Sequence, residues 1–509
     1  MSQCDCLEVW ADRIYGIYGK SVTNLAVGET AIRSRLRTEG LGERIAPLLA
    51  VAAPVALLVI GLAAFSPELL TQDFWLALDS GREIAHHGLP SADHLTVMAS
   101  GHRWVDQQWL AQLFLYEIAR IGGIGAVAAV CLFAAAVALS IAGFTAYQRG
   151  ASPIAILAFL LLCAAAAPPG MQFRTQSLAL PLFSLTIWLL VRDPNAERRS
   201  TLWVLPVLCL WANLHGSAVL GAGLVAVYGL QALVRGARGP ARARAVACTV
   251  LAPLALLASP YATSLPGYYR MMLVNPPFGR EIQEWQRTTP KGLTAIFFLL
   301  LAIALVLVLT RRRRLGLFDF LVLGLTLATA LDATRGIIWF ALAAAALLPA
   351  LATRHPWATR LEGRGAATLV LGAVGVVVAA AVWLGTQPAT RYPNQFPRGL
   401  LGVVREKTAS GHERVFANAA SADWLLWELP SLRGRVAYDV RFELLKSSQF
   451  NRIVHWNGRG PGWRATAAPY ALVVDDPKHV AGLVATGRWR RLISSPRVAV
   501  AEQLPGHQK

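Results

Sequence analysis

Stretches such as "RIAPLLAVAAPVALLVIGLAAF" and "TAIFFLLLAIALVLVLT" restrict this chain to very few environments. A helix needs about 20 apolar residues to cross a hydrocarbon core of roughly 30 Å. Windows of that character fall near 45–65, 121–147, 151–167, 175–191, 200–213, 216–234, 243–259, 292–310, 317–331, 335–352 and 367–385. These eleven candidate spans predict an α-helical multi-pass membrane protein. The stretch 200–234 must be two helices, because one straight helix of that length would run roughly 50 Å. "NLHG" at 213–216 is where it can break.

The net charge of +19 on 509 residues, 55% of them hydrophobic, could suggest nucleic acid. Lys and Arg cluster instead between apolar runs, as in "RRRR" at 311–314 and "RGARGPARAR" at 235–244, a pattern that orients a membrane protein. With the N-terminus inside, "QRG", "RDPNAERRS", "RGARGPARAR", "RRRR" and "TRHPWATRLEGR" all fall on the cytoplasmic side. The outer side receives a first loop over 66–120, "PPGMQFR", "NLHG", 260–291, "DATR" and everything beyond 386. The expected organisation is a cytoplasmic segment 1–44 without the features of a removable signal, a transmembrane domain 45–385 and an extracytoplasmic domain 386–509. In that last part "RVFANA", "GRVAYDV", "YALVVDD" and "RVAVAEQ" read as strands, alternating with helices in "SADWLLWEL", "RFELLKSSQFNRIVHW" and "DPKHVAGLVATG", which indicates a small α/β domain. Cys4 and Cys6 lie near the N-terminus, and Cys131, Cys163, Cys209 and Cys248 fall inside apolar segments, so no disulfide framework is implied. No internal repeat is evident, which weighs against the inverted-repeat architecture of many transporters.

Charged residues at the mouths of the spans carry the functional reading. In "QDFWLALDSGREIAHHGLP" (72–90), helical spacing puts Phe74, Ala77, Leu78, Gly81 and Ala85 on one face and Asp79, Glu83 and His87 on the other. This predicts an interfacial amphipathic helix, with Asp79, Arg82 and Glu83 in water and Asp73 held at the junction with the first span. His86, His87, Asp93 and His94 could be read as metal ligands, since imidazole and carboxylate suit zinc or manganese. Adjacent histidines point apart on a helix, however, and a solvated face is the stronger reading. "GHRWVDQQWLAQLFLYEIARIGG" reads as a second interfacial helix, with Trp104 and Trp109 at headgroup level. Its Asp106 suits a helix start as well as it suits catalysis. Polar groups at the outer span ends are costly in hydrocarbon and rarely idle: Arg174, Asn213, His215, Glu281, Glu284, Asp332 and Arg335. Two arginines among carboxylates could grip an anionic phosphate, although Asp332 and Arg335 are also spaced to pair with each other.

Taken in order, "DFW…G…I…HG.P..D.......G..W….QWL", "FRTQ", "LWANLHG", "EIQEW", "DATRG", "RVFANAASADWLLWEL" and "VAYDVR" resemble a bacterial branch of the GT-C superfamily of integral membrane glycosyltransferases. Its relatives include the protein mannosyltransferases and the lipid A aminoarabinose transferases, and the resemblance spans 45 to about 500. It implies a sugar donor on a polyprenyl phosphate, an active site at the outer membrane interface and an essential acid in the first outer loop, a position that Asp73 matches. The sequence departs from the pattern at Ala77, where a histidine often stands, and at Gln107 and Gln108, where His-Glu often precedes "WL". The resulting expectation is an inverting transferase of the inner membrane, with Asp73 as general base and Asp106 as a second catalytic candidate. Arg174 and Arg335 would take the lipid phosphate, and His215, Glu281 and Glu284 the substrate. No motif specifies a cofactor, although a divalent metal is compatible with Glu281 or Glu284. The expected partners are the lipid-linked donor, membrane lipids and a glycan, lipid or protein acceptor, not nucleic acid. A transporter or flippase for a lipid-linked saccharide, and a catalytically silent scaffold, are the competing readings.

Overall fold

Each of the eleven apolar stretches carries a helix in the computed structural model, which describes residues 51–505 except 275–277, 293, 354–362, 388–396 and 398. The segment 1–44, the start of the first span and most of "TRHPWATRLEGR" lie outside the described residues. In chain order the helices are α1 (Val51–Ala64), α2 (Gln72–His87), α3 (Trp109–Gln148), α4 (Pro153–Ala166), α5 (Thr175–Val191), α6 (Val204–Ala212), α7 (Ala218–Val234), α8 (Gly239–Ala255), α9 (Leu265–Val274), α10 (Thr294–Arg311), α11 (Leu317–Asp332), α12 (Ile337–Leu347) and α13 (Gly363–Gly385). Two helical stretches, Trp109–Gln148 and Thr294–Arg314, are by length and composition able to cross a membrane on their own.

Local chemistry explains several of the boundaries. α4 opens with Pro153 in its first turn and Ser152 as cap, its Oγ accepting from the Ala155 N–H at 3.3 Å, a combination that suits a helix start. The break between α6 and α7 falls at "NLHG" as expected. Asn213 stabilises it by donating to the carbonyls of Cys209 (2.8 Å) and Ala258 (2.6 Å) and accepting from the Trp109 indole N–H (2.8 Å). α12, "IIWFALAAAAL", is buried at every residue, as a helix apolar on all sides must be. Its alanines let α3, α4, α5 and α11 close around it. By contrast α10 turns Val306 and Leu309 outward, 60% and 73% exposed.

Three expectations need correction. The second interfacial helix does not begin at 101 but at Trp109, and it is continuous with the next span except at Gly123, whose φ of 72° and ψ of −173° break the helical path. Trp104 is buried rather than at a headgroup surface. On α2, Asp79 and Glu83 do not face water: they are 1% and 6% exposed. The polar face of α2 packs under the C-terminal domain, where Arg82 donates to the carbonyls of Leu426 (2.6 Å) and Trp427 (3.0 Å) and Arg433 grips Glu83. An amphipathic pattern marks a polar face but does not say what covers it.

The C-terminal domain holds α14 (Gly399–Lys407), β1 (Val415–Ala417), α15 (Ala419–Glu428), α16 (Ser447–Asn457), β2 (Leu472–Asp475), α17 (Pro477–Val484), β3 (Trp489–Ser494) and β4 (Ala499–Gln503). The sheet order is β1-β2-β4-β3, with β1 parallel to β2 and the other pairs antiparallel. β3 was not expected, because "WRRLIS" carries two adjacent arginines, both exposed, on an edge strand. Conversely, "GRVAYDV" forms only single bridges, from Val436 to Thr96 and to Val415. It stitches the loop between α2 and α3 to the sheet: Val97 N–H donates to the Val436 carbonyl (2.8 Å) and Met98 N–H to that of Ala437 (2.9 Å).

Candidate active site

Where the helix ends meet the C-terminal domain there is a cavity of about 1440 Å³. Asp73, Arg174, His215, Glu281, Glu284 and Arg335 all line it. Six residues chosen from five separate stretches of sequence therefore share one space. Asp106, the seventh, is not among its lining residues.

Backbone geometry brings the first two together. Leu70 and Phe173 form a parallel bridge, with Phe173 N–H donating to the Leu69 carbonyl at 2.9 Å. This sets the start of α2 beside Arg174, the extended residue that opens α5. Arg174 is 4% exposed. Its Nη1 donates to Asp73 Oδ2 at 2.6 Å and to Glu284 Oε2 at 3.0 Å, and its Nη2 donates to the Pro169 carbonyl at 3.2 Å. Burial pulls this guanidinium down, but Glu284 and Asp73 outweigh it and hold the group above its ordinary range. The Asp73 side chain remains 38% exposed, so the carboxylate is clamped on one side and open to the cavity on the other.

A second strap positions Glu284 and Arg335. Thr334 N–H donates to the Gln286 carbonyl (3.2 Å) and its hydroxyl to the Gln283 carbonyl (3.0 Å). Arg335 then stacks 4.2 Å over the Trp285 ring instead of pairing with Asp332. Among the described residues its N–H groups have no hydrogen-bond or ion-pair partner, so it is a guanidinium free to take an anion, as are those of Arg280 and Arg287 on the same cavity. His215 is held by Ser217, whose backbone N–H donates to Nδ1 at 3.2 Å, which assigns the ring proton to Nε2. Burial and the charges of Arg335 and Arg174 push this imidazole well below its usual value, so it is neutral. Glu281 is exposed at the cavity.

Asp106 is buried with Oδ2 unpartnered among the described residues, and burial pushes it up to about 7. Of the four candidate metal ligands three are otherwise engaged: His86 meets the Tyr116 hydroxyl (3.1 Å), His87 meets Glu83 (3.3 Å), and Asp93 accepts from Arg441 (2.6 Å), while His94 is exposed. Gln108, one of the departures from the family pattern, lines the cavity and accepts from the Thr175 hydroxyl.

Sequence reasoning missed Tyr268, Tyr269, Trp285 and Glu443. Glu443 comes from the C-terminal domain, and burial pushes it up to about 7. The signal was present in "VAYDVR", two residues before it. Arg441 there joins Asp439 (Nε–Oδ2 2.9 Å) to Asp93 and lies 4.2 Å over Trp104, latching the loop between α2 and α3 to the domain at the cavity wall.

No protein-family model and no curated protein matches this sequence. Solved structures match it by fold. ArnT from Cupriavidus metallidurans in the apo state gives a TM-score of 0.50 at 12% identity, over 89% of this chain and 98% of that one. The same protein bound to undecaprenyl phosphate gives 0.48 at 13% identity, again over 89% and 98%. The Archaeoglobus fulgidus oligosaccharyltransferase in the apo form gives 0.51 at 11% identity, over 85% of this chain and 70% of that one. ArnT, an aminoarabinose transferase, and the oligosaccharyltransferase are both GT-C glycosyltransferases. The likeness is one of fold, and it is the fold that the sequence motifs implied.

Proposed function

We propose that this chain is a membrane glycosyltransferase that moves a sugar from a polyprenyl-phosphate-linked donor to an acceptor hydroxyl at the extracytoplasmic face, with inversion. The observation that carries the reading is Asp73, clamped by buried Arg174 and open to the same cavity on which Arg335 presents unpaired N–H groups. Asp73 accepts the proton of the acceptor hydroxyl, whose oxygen attacks the anomeric carbon from the side opposite the phosphate. The bond from that carbon to the phosphate oxygen breaks, and its electron pair leaves with the polyprenyl phosphate. Arg335 stabilises the charge gathering there, and the neutral His215 offers an N–H to the sugar or the phosphate. Arg174 acts as a positioning residue for Asp73 and Glu284. Asp106, protonated below about 7 and outside the lining, supports the wall instead of acting as a base.

Glu281, without an ion pair among the described residues, suits sugar hydroxyls. Glu284 is engaged by Arg174, and among the described residues no three metal-ligating side chains converge; the donor set does not fit a metal. The apolar Leu220, Leu273 and Leu325 on the cavity wall suit a lipid chain entering from the side. The reading is tested by binding of undecaprenyl phosphate to the purified chain. Arg335→Gln removes charge-assisted bonds to the phosphate and is expected to weaken binding about 10-fold or more. Unchanged binding would remove Arg335 from the phosphate site.

A further inference from the structure

The helices that frame the cavity at one end frame a smaller one at the other. α3 starts beside Gln108 and ends at Gln148, and α11 runs from Leu317 to the cavity residue Asp332. At the far ends, Arg149, Arg314, Leu347, Ala350, Leu351 and Thr353 line a second cavity of about 410 Å³. Arg149 Nη2 donates to Asp319 Oδ2 at 2.7 Å, and that carboxylate also accepts from the Gly316 N–H at 2.9 Å. Arg314 Nη1 makes one long bond, 3.3 Å, to the Thr353 carbonyl. Among the described residues the other N–H groups of both guanidiniums have no protein partner. The pocket thus sets two guanidiniums, one held in place by Asp319, against a single carboxylate, with Arg311, Arg312 and Arg313 adding to the positive field.

An arginine run at this end orients the chain whatever it binds. What sets this pocket apart is the apolar wall of Leu347, Ala350 and Leu351 beside the paired guanidiniums. α10 also ends at Arg311, three residues before Arg314, and packs against the Pro349–Ala352 turn that lines the pocket, with Val306 and Leu309 exposed along it. We propose that this pocket binds the phosphodiester headgroup of an anionic phospholipid, with the phosphate between Arg149 and Arg314 and the acyl chains along α10. A basic pocket between helices at a bilayer surface has the chemistry for such a headgroup. The site is separate from the Asp73 cavity and does not depend on the reaction proposed for it.

The test is native mass spectrometry of the delipidated full chain titrated with dioleoylphosphatidylglycerol. One lipid is expected to be retained, and Arg314→Gln is expected to weaken it about 10-fold or more. Arg314→Lys, which keeps the charge and loses the fork, should fall between. Arg312→Gln should change it less than about twofold, since Arg312 lies outside the pocket. Dioleoylphosphatidylcholine should bind more weakly, and inorganic phosphate should not displace the lipid. Equal losses in Arg312→Gln and Arg314→Gln would mean diffuse surface attraction and would overturn the site. Displacement by inorganic phosphate would replace the lipid with a free anion and overturn the proposal equally.

Discussion

Asp73, Asp79 and Glu83 share one helix and meet three environments. Asp73 is half-open to the cavity, Asp79 is sealed under the C-terminal domain, and Glu83 is buried with both oxygens on Arg433. Burial outweighs the Arg82 charge at Asp79 and raises it well above the usual carboxylate range, which favours the protonated acid even though Arg82 donates to its Oδ1 at 2.5 Å. Asp79→Asn, which resembles the protonated acid, should therefore cost little stability. Glu83→Gln leaves Arg433 without its charged partner and is expected to cost about 1–3 kcal/mol. Thermal unfolding of the two purified variants checks this, and a larger loss for Asp79→Asn would reverse the assignment. Side-chain types and spacing gave the polar face correctly in sequence; which of its acids stayed in contact with solvent depended on a domain more than 300 residues away, as the Arg433–Glu83 pair shows.

At the scale of elements, α2 is the mount on which Asp73 sits, and its height above α3 is set by Gly81. A Cβ there would lie 2.2 Å from the Gln112 carbonyl oxygen and 2.5 Å from Tyr116 Cβ, contacts that only separation of the helices can relieve. Gly81→Ala is expected to destabilise by about 1–3 kcal/mol and to lower kcat even where the chain still folds, because Asp73 moves with α2. Full turnover in a folded Gly81→Ala protein would show that Asp73 does not need this register. The apolar helices were legible because hydrocarbon and buried core select the same composition, as α10 and α12 illustrate from outside and inside. α3 was not legible as one element, since Gly123 reads as punctuation in sequence while the helix resumes directly beyond it. "GRVAYDV" misled for a related reason: its alternation is real, but its partners are single residues of the loop between α2 and α3 and of β1.

For the whole molecule, the loop between α2 and α3 and the C-terminal domain form one cap over the bundle, latched by Arg441 between Asp93 and Asp439. Burial raises Asp106 and Glu443 beneath this cap to about 7, whereas in the unfolded chain both release their protons near pH 4. Between those values the folded chain binds more protons than the unfolded one, so their contribution to stability falls as pH rises towards 7 and is flat above it. The melting temperature should therefore drop from pH 5 to pH 8, and Asp106→Asn and Glu443→Gln should each flatten part of that slope. An equal slope in wild type and both variants would contradict it. The convergence of Asp73, Arg174, His215, Glu281, Glu284 and Arg335 was legible because each is a polar residue at an apolar span's end, where idle charge is rare. Glu443 was hidden because its one nearby signal, "VAYDVR", lies in the C-terminal domain and not at the end of an apolar span. The central claim is that Asp73 is the base. The most direct measurement is the rate of sugar transfer from a polyprenyl-phosphate donor by purified, folded Asp73→Asn protein, with donor binding measured alongside. The account predicts a fall of about 10²- to 10⁴-fold with binding largely kept; transfer at the wild-type rate would contradict it.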